Sequence, residues 1–171
     1  MIFRSSFVVL LLATWHLVGH LQSNKAGRAA GIFHSIDSVD DFAMAQRLDR
    51  MRAAAPAAAK LRVLIEVRVA PEETKSGVDP GETERLAQQI APLPHLELAG
   101  MMCIPPFLDQ PDKVRPYFVK LRELRDKIAS RTGHPLPVLS MGMSHDFAVA
   151  IEEGATEVRI GTAIFGARVK P

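Results

Sequence analysis

Leu139-Ser-Met-Gly-Met-Ser144 and, further on, Val158-Arg-Ile-Gly-Thr162 decide how this chain is read. Each is a short apolar run that ends in small and polar residues. The first predicts a strand over Val138 to Gly142 and a helix from His145 to Glu153, capped by Ser144 and stopped by Gly154. Where a strand turns into a helix, free backbone N–H groups and the positive end of the helix dipole suit an anion. The Ser144 hydroxyl adds a donor. The second predicts a strand over Glu157 to Ile160 and then Gly161, which allows close backbone approach, and Thr162, which supplies another hydroxyl. Alternation places Arg159 and Gly161 on one face of that strand. A buried arginine needs an acceptor. Arg159 therefore either completes a structural pairing or faces a ligand.

Working outward, the same alternation of strand and helix fills the chain. Trp15–Gly19, Gly31–Asp37, Leu61–Val67 and Leu96–Met102 read as strands. Helices are expected from Ser38, with Asp41 in a capping box, to Met51, from Pro80 to about Ala91, and from Pro111 to about Arg131 with Gly133 as its stop. Strands alternating with helices predict βαβ units and a parallel sheet. Ligands of such sheets sit at the C-terminal ends of the strands. Six strands suit an open sheet and are two short of a (β/α)8 barrel. Two anion-ready turns at the last two strands match the usual phosphate position of such a barrel.

Composition excludes several functions. The 171 residues carry a net charge of only +2, with 47% apolar and 23% charged residues, so a core can form and no basic face for nucleic acid is indicated. The lone cysteine, Cys103, cannot form an internal disulfide, which fits a reducing, cytoplasmic setting. His16 and His20 lack a third zinc ligand, so no metal site is expected. No Gly-x-Ser-x-Gly elbow or dinucleotide fingerprint occurs. Residues 1–13 form a separate apolar segment with one arginine, too short to span a membrane. Residues 14–171 form the expected domain.

These motifs resemble the pyridoxal phosphate homeostasis proteins, relatives of the N-terminal barrel of alanine racemase. The resemblance rests on Trp15-His-Leu-Val-Gly-His-Leu-Gln-Ser-Asn-Lys25, Ile36-Asp-Ser38, Val63-Leu-Ile-Glu-Val67, Glu73-Thr-Lys-Ser-Gly77, Gly100-Met-Met102, Leu139–Ser144 and Val158–Gly166. It implies an α/β fold, an incomplete (β/α)8 TIM-type barrel lacking about the first two βα units. It implies pyridoxal 5'-phosphate as cofactor, with Ser144, Gly161 and Thr162 at the phosphate, Met143 beside them, Arg159 at the pyridine nitrogen and Asn24 at the pocket mouth. The family's covalently binding lysine lies before the matched segment. The implied role is therefore cofactor binding and homeostasis without catalysis. Arg68 stands where the family tends to have asparagine. Two unpaired sheet edges imply self-association. Two other readings stay open: a racemase-like enzyme, which needs that lysine and an opposing acid–base residue, and a small phosphate-ligand-binding α/β protein.

Overall fold

A computed structural model describes residues 13–55, 59–70 and 76–167. Among them six strands form one sheet, each pairing in parallel with the next in chain order. The strands are β1 (His16–Leu17), β2 (Ser35–Val39), β3 (Leu61–Glu66), β4 (Leu96–Met102), β5 (Val138–Met143) and β6 (Glu157–Arg159). Between them run α1 (Ala26–Ile32), α2 (Phe42–Ala53), α3 (Thr83–Ile90), α4 (Arg115–Thr132) and α5 (Phe147–Glu152), and α6 (Thr162–Phe165) follows β6. Short 3-10 turns, Ser23–Lys25 and Pro111–Val114, lead into α1 and α4.

The sheet is curled. Adjacent strands lie ~4.8 Å apart, so β3 and β6 would be ~14 Å apart in a flat sheet. Yet Arg62 on β3 donates to Glu157 on β6 at 2.5 Å. His16 on β1 brings a ring nitrogen within 4.8 Å of the Glu157 carboxylate, across five strand intervals. The sheet is thus an incomplete barrel wall with the strands of the expected kind and order.

Alternation assigns the two faces. Ile36, Val63, Ile65, Met101, Leu139 and Met141 are fully buried toward the helices. They share one core with Leu48, Leu86, Ile90, Phe118, Leu121 and Ile128. Each such side chain contributes about 1.5–3 kcal/mol by leaving water. The opposite, concave face carries polar groups beside a small apolar cluster of Leu64, Ala99 and Met102. Glu66, Met102, Ser140 and Glu157 are register partners from strand to strand, so they form one row across it.

Most expected elements are present, with four local corrections. Gly31–Phe33 is not strand: α1 ends at Ile32, and Ala26, Ala29 and Ala30 bury the helix. Small side chains let α1 approach α2 closely; a Cβ on Gly27 would lie 3.2 Å from Met51 Sδ. Ser38 is not a helix cap. It lies in β2 and donates to the Gly19 carbonyl at 2.6 Å, while Asp41 caps α2 by accepting from Met44 N at 2.7 Å. The helix expected from Pro80 starts at Thr83, after a turn in which Glu82 N bonds Asp79 O. Pro111–Val114 is a 3-10 turn before α4, which closes on left-handed Gly133 (φ 74°) as expected. The N-terminal apolar run, apart from Ala13, and Glu73–Lys75 fall outside the described residues.

Candidate cofactor site

Arg159 ends β6 on the concave face. One guanidinium nitrogen donates to Ser140 Oγ at 2.8 Å, and the other to the Cys103 carbonyl at 2.8 Å. A residue of β5 and the residue that follows β4 thus fix its position. Burial lowers its pKa from the ordinary value, while Cys103, Asp37, Asp146 and Glu66 oppose that shift. The side chain lines a cavity of about 320 Å³ with His16, Val18, Asp37, Ser140, Glu157 and Val158.

The turn after β5 is built on Gly142. Its φ is +93°, and a Cβ there would lie 2.5 Å from Ala150 Cβ and 3.1 Å from Phe147 Cα. Only glycine lets the chain turn this close to α5. Met143 N then donates to Asp146 Oδ1 at 2.6 Å, and the Met143 side chain is about half exposed.

Ser144 does not cap α5, which begins at Phe147 behind Asp146. Its hydroxyl oxygen instead accepts from Gly161 N at 3.1 Å and Ala163 N at 3.3 Å. These amides open α6, so Ser144 caps the helix after the neighbouring strand. The reason is tertiary: Met143 and Arg159 are register partners, which sets the two turns side by side. Ser144, Gly161 and Thr162 therefore come together at an exposed rim, and no atom outside the local chain lies within 4 Å of a Cβ built on Gly161.

Asn24 is placed differently. It lies exposed in the 3-10 turn after β1 and is not among the residues lining the cavity that holds Arg159. Lys25 beside it lines a second cavity of about 460 Å³ with Leu17–Gln22. Arg68 faces Asp79, Nη2 to Oδ2 3.5 Å, which gives its charge a partner within the protein.

Sequence reasoning missed the other polar groups of the concave face. Asp37 is buried, accepts from the Ser35 hydroxyl and contacts His16 Nδ1 at 3.1 Å. Glu66 and Ser140 are buried too. A signal was available: Glu66 interrupts the apolar run Leu61–Val67 at the parity of Arg62. His16, Asp37 and Glu157 could surround a cation by spacing. However, Asp37 is engaged by Ser35, and Glu157 by Arg62.

A curled parallel βα sheet with its polar groups at the strand ends defines a ligand-binding (β/α)-barrel protein. Residues 11–169 match the family described as alanine racemase, N-terminal domain, and the chain belongs to that family. It is 49% identical over 154 residues to the pyridoxal phosphate homeostasis protein of Aquifex aeolicus, covering 90% of this chain and 67% of that one. To the pyridoxal phosphate homeostasis protein of Escherichia coli K12 it is 40% identical, covering 90% and 64%. The chain thus spans about two thirds of the length of these curated relatives. The structure of PipY from Synechococcus elongatus, solved with PLP bound, superposes with a TM-score of 0.85 at 34% identity, covering 95% of this chain and 75% of that one. Alanine racemase of Clostridium difficile shares the fold alone, at 15% identity and a TM-score of 0.72.

Proposed function

We propose that this chain binds pyridoxal 5'-phosphate and serves its homeostasis without catalysing a reaction. The observation that carries the reading is the convergence of two backbone amides on Ser144, set one strand-end away from the immobilised Arg159. The residues fit the group. The Ser144 oxygen accepts from both amides and keeps its own proton for a phosphate oxygen, and the free space at Gly161 admits one. Thr162 follows with its hydroxyl, and Met143 flanks the turn. Arg159, fixed by Ser140 and Cys103, would meet the pyridine nitrogen as a donor.

Pyridoxal phosphate brings a reactive aldehyde on a ring that can serve as an electron sink. An arginine at the ring nitrogen keeps that nitrogen unprotonated and blunts the sink. That favours storage over chemistry. Covalent capture needs a lysine amine near the aldehyde, so binding through the groups above is non-covalent. Similarity to proteins named for homeostasis, and to PipY with PLP bound, supports the reading. No helix among the described residues is long and apolar enough to cross a membrane. The outer edges of β1 and β6 pair with no strand among the described residues, and we include pairing of these edges between copies in the proposal.

The test is an absorbance titration with pyridoxal phosphate and a parallel competition by inorganic phosphate, on the parent and Ser144→Ala. Saturable binding, weakened for both ligands in Ser144→Ala, is expected. Absence of binding by the parent overturns the reading. Borohydride reduction with peptide mapping adds a second arm: an adduct on Lys25 or Lys75 overturns the non-covalent mode. Racemisation of an amino acid would favour the enzyme instead.

A further inference from the structure

Glu66 is a concave-face group for which the site above has no use. It ends β3, is 3% exposed, and stands in the row with Met102 and Ser140. A strap of chain is bound across its strand end. Val78 N donates to Glu66 O at 2.8 Å, and Arg68 N donates to Val78 O at 2.9 Å. Gly77, at φ +113°, passes so close that a Cβ would lie 2.9 Å from Arg68 N. Gly77 N also donates to Asp40 Oδ2 at 3.3 Å. The strap thereby delivers Ser76, whose hydroxyl donates to Glu66 Oε1 at 2.8 Å. The other oxygen, Oε2, is buried with no hydrogen-bond partner among the described residues.

A buried polar atom left unpaired is costly, and more so when it carries charge. Protonation would remove that charge: in the neutral acid, Oε1 accepts from Ser76 and Oε2 bears the proton. Burial raises its pKa and Asp40 adds to the rise, while Ser76, Arg159 and His20 oppose it. These groups come from the strap, β6 and the segments after β1 and β2.

We propose that Glu66 is a further ligand-binding residue of this site, its Oε2–H donating a hydrogen bond to an acceptor oxygen on the ring of the bound ligand. The inference rests on the pyridoxal phosphate reading and deepens it: it assigns recognition of a ring substituent to a residue remote from the phosphate rim. An aromatic hydroxyl or phenolate beside the aldehyde is the acceptor class such a donor fits. Glutamine at this position would keep a neutral donor. Alanine would remove it.

The experiment measures dissociation constants of the full chain, Glu66→Ala and Glu66→Gln for pyridoxal phosphate and, separately, for inorganic phosphate. Glu66→Ala should bind pyridoxal phosphate about 5-fold more weakly, the size of one such hydrogen bond, with phosphate affinity unchanged. Pyridoxal phosphate affinity unchanged in Glu66→Ala overturns the proposal. Circular dichroism checks the fold. If Glu66→Ala is unfolded, Glu66→Gln decides, titrated beside the parent from about pH 5 upward, above the ordinary carboxyl value. The acid loses its donor proton as pH rises, so the parent should weaken relative to Glu66→Gln. Their ratio cancels the titration of the ligand. A ratio constant with pH overturns the proposal. A parent that binds phosphate but not pyridoxal phosphate also overturns it, whereas a parent that binds neither defeats the underlying reading.

Discussion

Arg159 and Ser140 lie on neighbouring strands and are joined by a guanidinium-to-hydroxyl hydrogen bond of 2.8 Å. Ser140 is itself buried at 1% exposure. The bond, with the second one to the Cys103 carbonyl, turns a long flexible side chain into a fixed donor. Such preorganisation spares a ligand the entropy of ordering it.

Arg159 can be separated from the phosphate rim by substitution. Arg159→Lys keeps a charge but cannot span both acceptors. Pyridoxal phosphate affinity should fall about 10- to 100-fold, as loss of a charged hydrogen bond of ~1.5–3 kcal/mol implies. Inorganic phosphate, which does not need the ring contact, should bind unchanged. Competition titration checks both, and equal loss for the two ligands would place Arg159 at the phosphate instead.

Gly142→Ala should destabilise the chain by about 2–6 kcal/mol. Two penalties add: a non-glycine residue at positive φ, ~1–3 kcal/mol, and overpacking against Ala150 of ~1–3 kcal/mol. Chemical denaturation measures the loss. Gly161→Ala, with open space around it, should cost far less stability.

Glu153 sets an acid limit on stability. The Arg115 guanidinium, and after it Arg122, hold its carboxyl below the ordinary carboxylate value, although burial pulls the other way. A depressed folded pKa means the contribution is complete above the ordinary value near 4.5 and is lost as pH falls through the lowered one. Melting temperature should therefore drop between about pH 5 and pH 3. In Glu153→Gln that acid-side drop should shrink, and an unchanged drop would assign it to other carboxylates.

Cys103 should be inert. It is fully buried, and burial pushes its thiol up to about 12. Thiolate is the reacting form. A thiol reagent at neutral pH should label it only as fast as the protein opens, and denaturant should restore rapid labelling.

The sequence by itself determined the order of strands and helices and their parallel arrangement. Apolar alternation in Leu61–Glu66 and Leu96–Met102, and stops such as Gly133, act within a few residues and can be read locally. It also marked Ser144, Arg159, Gly161 and Thr162, because glycine and hydroxyl residues at strand ends stand out from an apolar run. Misreadings came where a local signal served a distant partner. Ser38 looked like a cap and bonds Gly19 instead. Ser144 looked like the cap of its own helix and caps the one after β6. Only the tertiary structure decided these, since strand register brings together residues that the chain keeps apart. It also decided the concave face. Curling of the sheet makes neighbours of Arg62 and Glu157 and leaves Glu66 with one oxygen answered by Ser76 and the other unpaired. Hydrogen-bond satisfaction depends on every nearby atom in space, and no one-dimensional pattern records it.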